Sequence, residues 1–479
     1  METTKRLGYV SIKSQLVSPP INRSMSELDR SFFTKKFNVW SLYFPDPTKI
    51  GAFVRIAKED ILQVPHVPFI IKYDGTKGEK GVVLTDRVIS PEDVKIALQK
   101  KTLELIDEYH CQLRPYEIVI DYNYWKTDEI LRAILPDDSD EEIPSGFTRT
   151  GHIAHINLKD DYKKYDKIIG TVILDKNPSI KTVVDKVDTI DTTFRTFKMK
   201  VIAGEPNFIV EQRESDCLFK FDFSKVYWNS RLHTEHKRLV DIFTDEGGVG
   251  AICDVMAGVG PFAIPSGKNQ LVVFANDLNP ESYKWLEVNI GLNKVGDFVK
   301  AYNTDGREFI KESTKLIYEH SNKEKAIELP RPKKKAKFTN ESKEISNLKK
   351  EIPKFFTQYV MNLPDSAITF LDAFIGLYSK NGFTKDEMYS IPGFKLPVIN
   401  FHHFEKFSPD EKPEPSNEEL YKRIHLKVKK LINYDINFED MSFHLVRKVA
   451  PTKPMYCISF TLPEEVAFLD TAKISHDNK

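Results

Sequence analysis

The stretch Asp254-Val-Met-Ala-Gly-Val-Gly-Pro-Phe262 reads as a strand that ends on a carboxylate and turns through two glycines. Small residues there let the backbone pass close to a bound molecule. A Gly-x-Gly after a strand fits a dinucleotide site, a methyl-donor site or a plain turn. About twenty residues further on, the next candidate strand ends in Asn276-Asp277, where an acid can accept hydrogen bonds from both hydroxyls of a ribose. A third candidate strand ends in Asp305-Gly306, and Asp305 could receive an adenine amino group. There is no third glycine at the dinucleotide spacing and no Lys-Ser/Thr phosphate loop. The ligand therefore reads as a nucleoside without a pyrophosphate, and a nicotinamide oxidoreductase is disfavoured. Asp254, Gly258, Gly260, Asp277 and Asp305 all stand at or just beyond strand ends, and in open α/β sheets such ends line one crevice.

Two further stretches carry reactive groups. Asn362-Leu-Pro-Asp365 is a short turn after a fourth candidate strand. Enzymes that methylate base amino groups carry a similar turn, in which a side-chain amide or a backbone carbonyl aligns the nucleophilic nitrogen. Upstream, Arg231, Glu235 and Arg238 are spaced by four and three, so on one helix they share a face. By pattern alone an exposed ion-pair helix is the plainer reading of that face.

The elements that must position these groups alternate between strand and helix patterns from Tyr227 to about Leu469, which predicts a mostly parallel sheet of βαβ units. Ala251–Val255, Leu271–Asp277, Phe298–Asn303, Gln358–Met361 and Leu396–Phe401 are the expected strands. Asn279 caps a helix with Pro280 in its first position, and Asn417–Asn433 is amphipathic. Ser442–Val449 and Met455–Leu462 read as an antiparallel pair at the sheet edge. The lysine-rich segment 319–351, with Lys333, Lys334, Lys335 and Lys337, has too little apolar content for a core and reads as a flexible insertion.

Ahead of this come a basic segment over 1–30, an α+β region over 31–140 and a small α+β region over 146–226. The first region mixes expected strands at Phe53–Ile56, Phe69–Lys72 and Glu117–Asp121 with a helix over Pro91–Glu108. The second carries expected strands at His152–Leu158, Ile168–Leu174 and Thr193–Val201. The acidic run beginning at Pro136 marks the boundary between them.

Bulk properties fit an ordinary globular chain. Of its 479 residues 41% are apolar and 29% charged, and formal net charge is zero, so any polyanion must meet a locally basic face. Cys111, Cys217, Cys253 and Cys457 form no CxxC pair, which argues against a disulfide framework or a zinc site. No apolar run reaches the ~18–20 residues of a membrane span.

The motifs Asn229-Ser-Arg-Leu-x-x-Glu-His236, Asp254–Phe262, Asn276-Asp-Leu-Asn-Pro280 and Asn362-Leu-Pro364 together closely resemble the archaeal and eukaryotic tRNA (guanine-N1)-methyltransferase family. Its members modify the guanosine just 3′ of the anticodon, at position 37. Gly151–Leu158 also looks like that family's second domain. The resemblance covers about residues 145–465, is looser before them, and departs at Met256, where Phe is more usual. It implies a class I, Rossmann-like methyltransferase domain with an antiparallel last strand, preceded by smaller α+β tRNA-binding domains. The implied donor is S-adenosylmethionine and the implied partner is tRNA. No metal is required, since the sulfonium is already activated and the sequence shows no ligand cluster, and the multi-domain layout makes a monomer reasonable. Methylation there supports reading-frame maintenance.

By position His236, Asp277, Leu278, Asp305, Gly306 and Asn362 would contact the donor. Asn362 and Pro364 would form the loop holding the target base, and Arg231 would be catalytic. Guanine N1 is protonated at neutral pH and negative charge builds on O6 as it reacts. Arg231 suits O6 and Glu235 is a candidate for the base. Tyr122, Tyr124, Trp125, Lys163, Lys164 and Tyr165 are candidate tRNA contacts. Another tRNA or rRNA base as target, or a non-catalytic tRNA-binding relative, are the alternatives. Expected compartments are cytoplasm and nucleus with a mitochondrial matrix pool, the last because Met1–Lys36 is basic and serine-rich.

Overall fold

The computed structural model describes residues 11–76, 78–136, 143–187, 194, 196–329 and 349–470. They fall into two compact units. The first takes the described residues within Met1–Thr148, Ala154–Lys186 and Lys200–Pro206; the second takes Arg149–Ile153, those within Val187–Met199, and those from Asn207 onward.

The strands, in chain order, are Lys35–Tyr43 (β1), Ile70–Lys72 (β2), Lys80–Val83 (β3), Gln112–Ile120 (β4), Thr148–Thr150 (β5), Ile153–Ile156 (β6), Thr182–Lys186 (β7) and Met199–Gly204 (β8). Then follow Ile209–Glu214 (β9), Cys217–Asp222 (β10), Ala251–Asp254 (β11), Val273–Asn276 (β12), Val299–Tyr302 (β13), Ala326–Glu328 (β14), Lys349–Glu351 (β15), Phe356–Met361 (β16), Val398–Phe404 (β17), Met441–Ala450 (β18) and Lys453–Thr461 (β19).

In the first unit the antiparallel sheet β2-β3-β1-β4 shares one apolar core with residues from further along the chain: Phe37, Ile118 and Trp125 pack in the same cluster as Ile156, Ile169 and Val183. The structure thus joins the first expected region to most of the second, and moves the hairpin β9–β10 into the other unit. Two expected strands are helical. Phe53–Ile56 lies in the helix Ile50–Ile56, with Ile50 and Phe53 one turn apart on its buried face. Ile168–Leu174 lies in the helix Asp166–Lys176, whose Ile168, Ile169, Gly170, Val172 and Ile173 are all buried. A helix covered on most sides has no polar stripe, so its β-branched run looks like a buried strand. Residues 137–142, 188–193 and 195, which carry part of the acidic boundary and of the expected strand Thr193–Val201, lie outside the described residues.

The second unit holds the expected sheet. Its order is β13-β12-β11-β16-β17-β19-β18, with the first five strands parallel and β19 antiparallel to both of its neighbours. Strand order reverses between β11 and β16, and in open α/β sheets ligands sit beyond the carboxyl ends at such a point. Within 319–351 the described residues at both ends are in regular structure, where the sequence predicts a flexible insertion. The helix Gly306–Glu324 runs through its start, and β14 pairs with β15. Lys333, Lys334, Lys335 and Lys337 lie outside the described residues. The four cysteines are free.

Candidate active site

The site is assembled from the turns that follow β11, β12, β13 and β16. Asn276, fully buried at the end of β12, ties three of them together. Its amide nitrogen donates to the carbonyls of Val255 (3.1 Å) and Thr304 (3.0 Å), and its oxygen accepts the Thr304 N–H (2.9 Å). Beside it, Asp277 accepts the Gly258 N–H at 2.8 Å and the Asn279 N–H at 2.9 Å. Burial raises the Asp277 pKa, against the pull of those backbone hydrogen bonds. Gly258 stands at φ +56° with nothing within 4 Å of where a Cβ would project, so the turn leaves open space at that point. Asp305 caps the helix Gly306–Glu324 with one oxygen, which accepts from Arg307 (2.9 Å) and Glu308 (3.3 Å). Its other oxygen makes no hydrogen bond among the described residues.

The turn after β16 is more committed than its sequence suggests. The Leu363 carbonyl accepts from the Ser366 and Ala367 N–H groups, and the Pro364 carbonyl accepts from the Phe404 N–H at 2.9 Å. The Asn362 side-chain oxygen, in contrast, is buried without a partner. The Asn362 side-chain oxygen is thus an uncommitted acceptor in this turn.

One cleft gathers His236, Gly258, Asp277, Leu278, Asp305, Gly306, Asn362 and Pro364. Four expected site residues do not line it. Gly260 (φ +96°) is a packing glycine: a Cβ there would lie 2.7 Å from Ile264 and 2.8 Å from Leu286. Asp254 is completely buried beneath the turn, with neither carboxylate oxygen hydrogen-bonded. Burial, then the nearby Asp277, holds its pKa well above the usual carboxylate range. Arg231 is exposed and sits in the 3-10 turn Ser230–Leu232, ahead of the helix His233–Asp245, so it does not share a helical face with Glu235.

Glu235 is 2% exposed and its carboxylate is taken from both sides. Arg238 donates to both oxygens, at 2.7 and 2.8 Å, and His402 Nε2 lies 2.8 Å from one of them. Burial would raise its pKa, but the Arg238 and His402 hydrogen bonds and charges outweigh this and bring it to about 2. Cys457 completes a buried trio with Glu235 and His402, with ligand atoms within 4.8 Å of one another, a convergence invisible in the sequence. Folding depresses the Glu235 pKa from 4.5 to about 2. Its contribution is therefore full above about pH 4.5 and fades as pH falls toward 2, by about 3 kcal/mol in all. Thermal melts at pH 6 and pH 3 should show a larger drop for the unaltered chain than for Glu235→Gln; equal drops would exclude this linkage.

The chain is 52% identical over 458 residues to the tRNA (guanine(37)-N(1))-methyltransferase of Candida albicans (strain SC5314), covering 94% of this chain and 98% of the relative. The enzyme of the same name from Saccharomyces cerevisiae is 46% identical over 482 residues, covering 94% and 95%. The chain belongs to the tRNA (guanine(37)-N(1))-methyltransferase family. Family models agree in their placement: a TYW2 N-terminal domain matches residues 127–207, and a TRM5/TYW2 methyltransferase domain matches 210–322. In fold, the chain is similar to aTrm5, solved as a complex with tRNALeu, with a TM-score of 0.54 at 18% identity, over 89% of this chain and 99% of that one.

Several cleft residues of this family member escaped the motif reading. Phe370 is one: a Cβ on Gly306 would lie 3.1 Å from its ring, so the two pack closely. The Arg307 guanidinium stacks over the same ring at 4.8 Å and donates to the Thr369 carbonyl, which fixes the aromatic wall. Trp228, whose indole N–H is buried without a partner, is another. It adjoins the Asn229-Ser-Arg-Leu motif, and an aromatic beside a motif was the available signal; nothing in the sequence marks Phe370.

Proposed function

We propose that this chain transfers the methyl group of S-adenosylmethionine to N1 of guanosine 37 of tRNA. The names of its relatives support the reaction, and the unpartnered Asn362 side-chain oxygen in the cleft that Asp277 also lines supports the site. When bound, the donor supplies an electrophilic methyl on a sulfonium. The residues present fit such a molecule: Asp277 retains lone pairs for ribose hydroxyls, the uncommitted oxygen of Asp305 suits an amino group, and Phe370 with Leu278 offers apolar surface to a purine. Asn362 aligns the guanine edge, with Pro364 shaping the loop that receives it.

Arg231 is assigned to the developing charge on O6 and Glu235 to the N1 proton. Both duties require movement on RNA binding: Arg231 must swing in from its exposed turn, and Glu235 must leave the Arg238–His402 clamp. Glu235→Gln and Arg231→Ala should each lower turnover by about 10²-fold or more, with donor affinity nearly unchanged. Full turnover in either variant would remove that residue's role.

The first unit is assigned to tRNA shape and phosphate contacts. Tyr122 and Trp125 are buried and serve its core instead. Tyr124 lines an open groove of about 800 Å³ that also presents Lys126 and Lys176. Lys163 pairs with Asp160 at 2.6 Å and Lys164 lies over Tyr165 at 5.0 Å, so these sit on the surface as local pairs. A monomer suffices for this arrangement.

The reaction is tested with radiolabelled donor and tRNA transcripts carrying guanosine or adenosine at position 37. Label in the guanosine transcript alone, recovered as N1-methylguanosine after digestion, is expected. Label in the adenosine transcript, or on another nitrogen, would overturn the assignment.

A further inference from the structure

We propose that Glu214 is a positioning residue for the methyl donor. It holds His236 so that the outer N–H of the ring receives the α-carboxylate of the donor's methionine tail. The inference rests on the cleft being the donor site.

Glu214 is the last residue of β9, and the chain turns back into β10 through Ser215 (φ 48°) and Asp216 (φ 58°). Two consecutive positive φ values make the tight hairpin whose twist matches its strands. The hairpin is pinned from outside: the N–H groups of Leu218 and Lys220 donate to the side chains of Asn293 and Asn289. Asn289 in turn donates to the Val259 carbonyl, inside the glycine turn of the site. The Glu214 carboxylate is thus fixed relative to the donor cleft.

Glu214 Oε1 lies 2.6 Å from His236 Nδ1, with the side chains only 7% and 4% exposed. That is a short contact of the charge-assisted kind. It is the one side-chain hydrogen bond of either residue among the described residues. A carboxylate this deeply buried is expensive unless a cation or a strong donor meets it. Nδ1–H is therefore turned onto Glu214, and Nε2 is left toward the cleft that His236 lines. The Phe262 ring stands edge-on to the imidazole at 4.9 Å and Trp228 flanks it at 6.4 Å, which limits water.

Electrostatics then orders the ligand. Asp277 and Asp305 face the cleft. A carboxylate is repelled from that end. The donor carries one, at the end opposite its adenosine. The Glu214-backed imidazole, whose outer nitrogen is turned to the cleft, is the complementary wall. Asp277 and Asp305 take the nucleoside and His236 takes the tail.

Titration calorimetry on the full chain separates the ends of the ligand. S-adenosylhomocysteine carries the amino-acid tail and 5′-methylthioadenosine lacks it. Glu214→Gln should weaken S-adenosylhomocysteine at least about tenfold and leave 5′-methylthioadenosine within about twofold. Equal losses for both ligands would mean Glu214 only supports the fold, and no loss for either would mean it positions nothing. His236→Gln gives the same readout with Glu214 retained, so the test survives poor folding of the first variant; there too an equal or absent loss overturns the proposal. If the unaltered chain binds neither ligand, the cleft is not the donor site, and the failure lies with that reading.

Discussion

Asn362→Ala is expected to lower turnover by about 10²–10³-fold while donor affinity stays within a few-fold. The reason lies in what surrounds it. The carbonyls of Leu363 and Pro364 are spent on Ser366, Ala367 and Phe404, so the turn keeps its shape without help from the amide. The Asn362 oxygen has no partner, which leaves a buried acceptor waiting for a donor. A guanine edge provides one. Removing the amide should therefore leave the fold and donor pocket in place and loosen only the base. Single-turnover rates with saturating tRNA, beside calorimetric donor affinity, read the two effects apart. A parallel loss of donor affinity would place Asn362 in donor binding instead of base alignment. Asn362→Asp keeps the size and the acceptor but adds a charge to the cleft that Asp277 and Asp305 also line, and should be no more active than the alanine variant.

Asp277→Ala is expected to act on the other substrate, weakening S-adenosylhomocysteine by about 10²-fold or more. Hydrogen bonds to a charged group contribute roughly 1.5–3 kcal/mol each, and two ribose hydroxyls are the proposed donors. Asp277 also holds the Gly258 and Asn279 N–H groups, so part of the loss comes from a slackened turn. Asp277→Asn keeps one acceptor and should fall between the two. Calorimetry with S-adenosylhomocysteine measures both, and near-native affinity in Asp277→Ala would remove the ribose assignment.

The residues legible in the sequence are those whose duty is local. Asp277 and Asn362 directly follow their strands and Gly258 and Asp305 lie within four residues of theirs, and a parallel sheet brings strand ends together whatever lies between them. Contacts made across the fold left no such trace. Glu235 meets His402 across 167 positions, and Glu214 meets His236 only because a hairpin folds back onto the helix Pro280–Asn293. Spacing on a helix pointed to the Glu235–Arg238 pair correctly but carried Arg231 with it, since the 3-10 turn that breaks the face has no distinctive composition. The helix Asp166–Lys176 was hidden for a different reason. Gly170 lets it pack against β8, where a Cβ would lie 2.8 Å from Ile202, and burial on most sides erases the periodicity that marks a helix.

Direct ultraviolet cross-linking of labelled S-adenosylmethionine to the full chain, followed by peptide mapping, asks most plainly whether one cleft beyond the sheet holds the donor. Label should appear on peptides that carry Trp228, Phe262 or Phe370, and unlabelled S-adenosylhomocysteine should abolish it. Competed label on the groove of the first unit, around Tyr116 to Thr127, with none on those three peptides, would place the donor elsewhere and remove the basis for every role assigned to Asp277, Asp305 and Asn362.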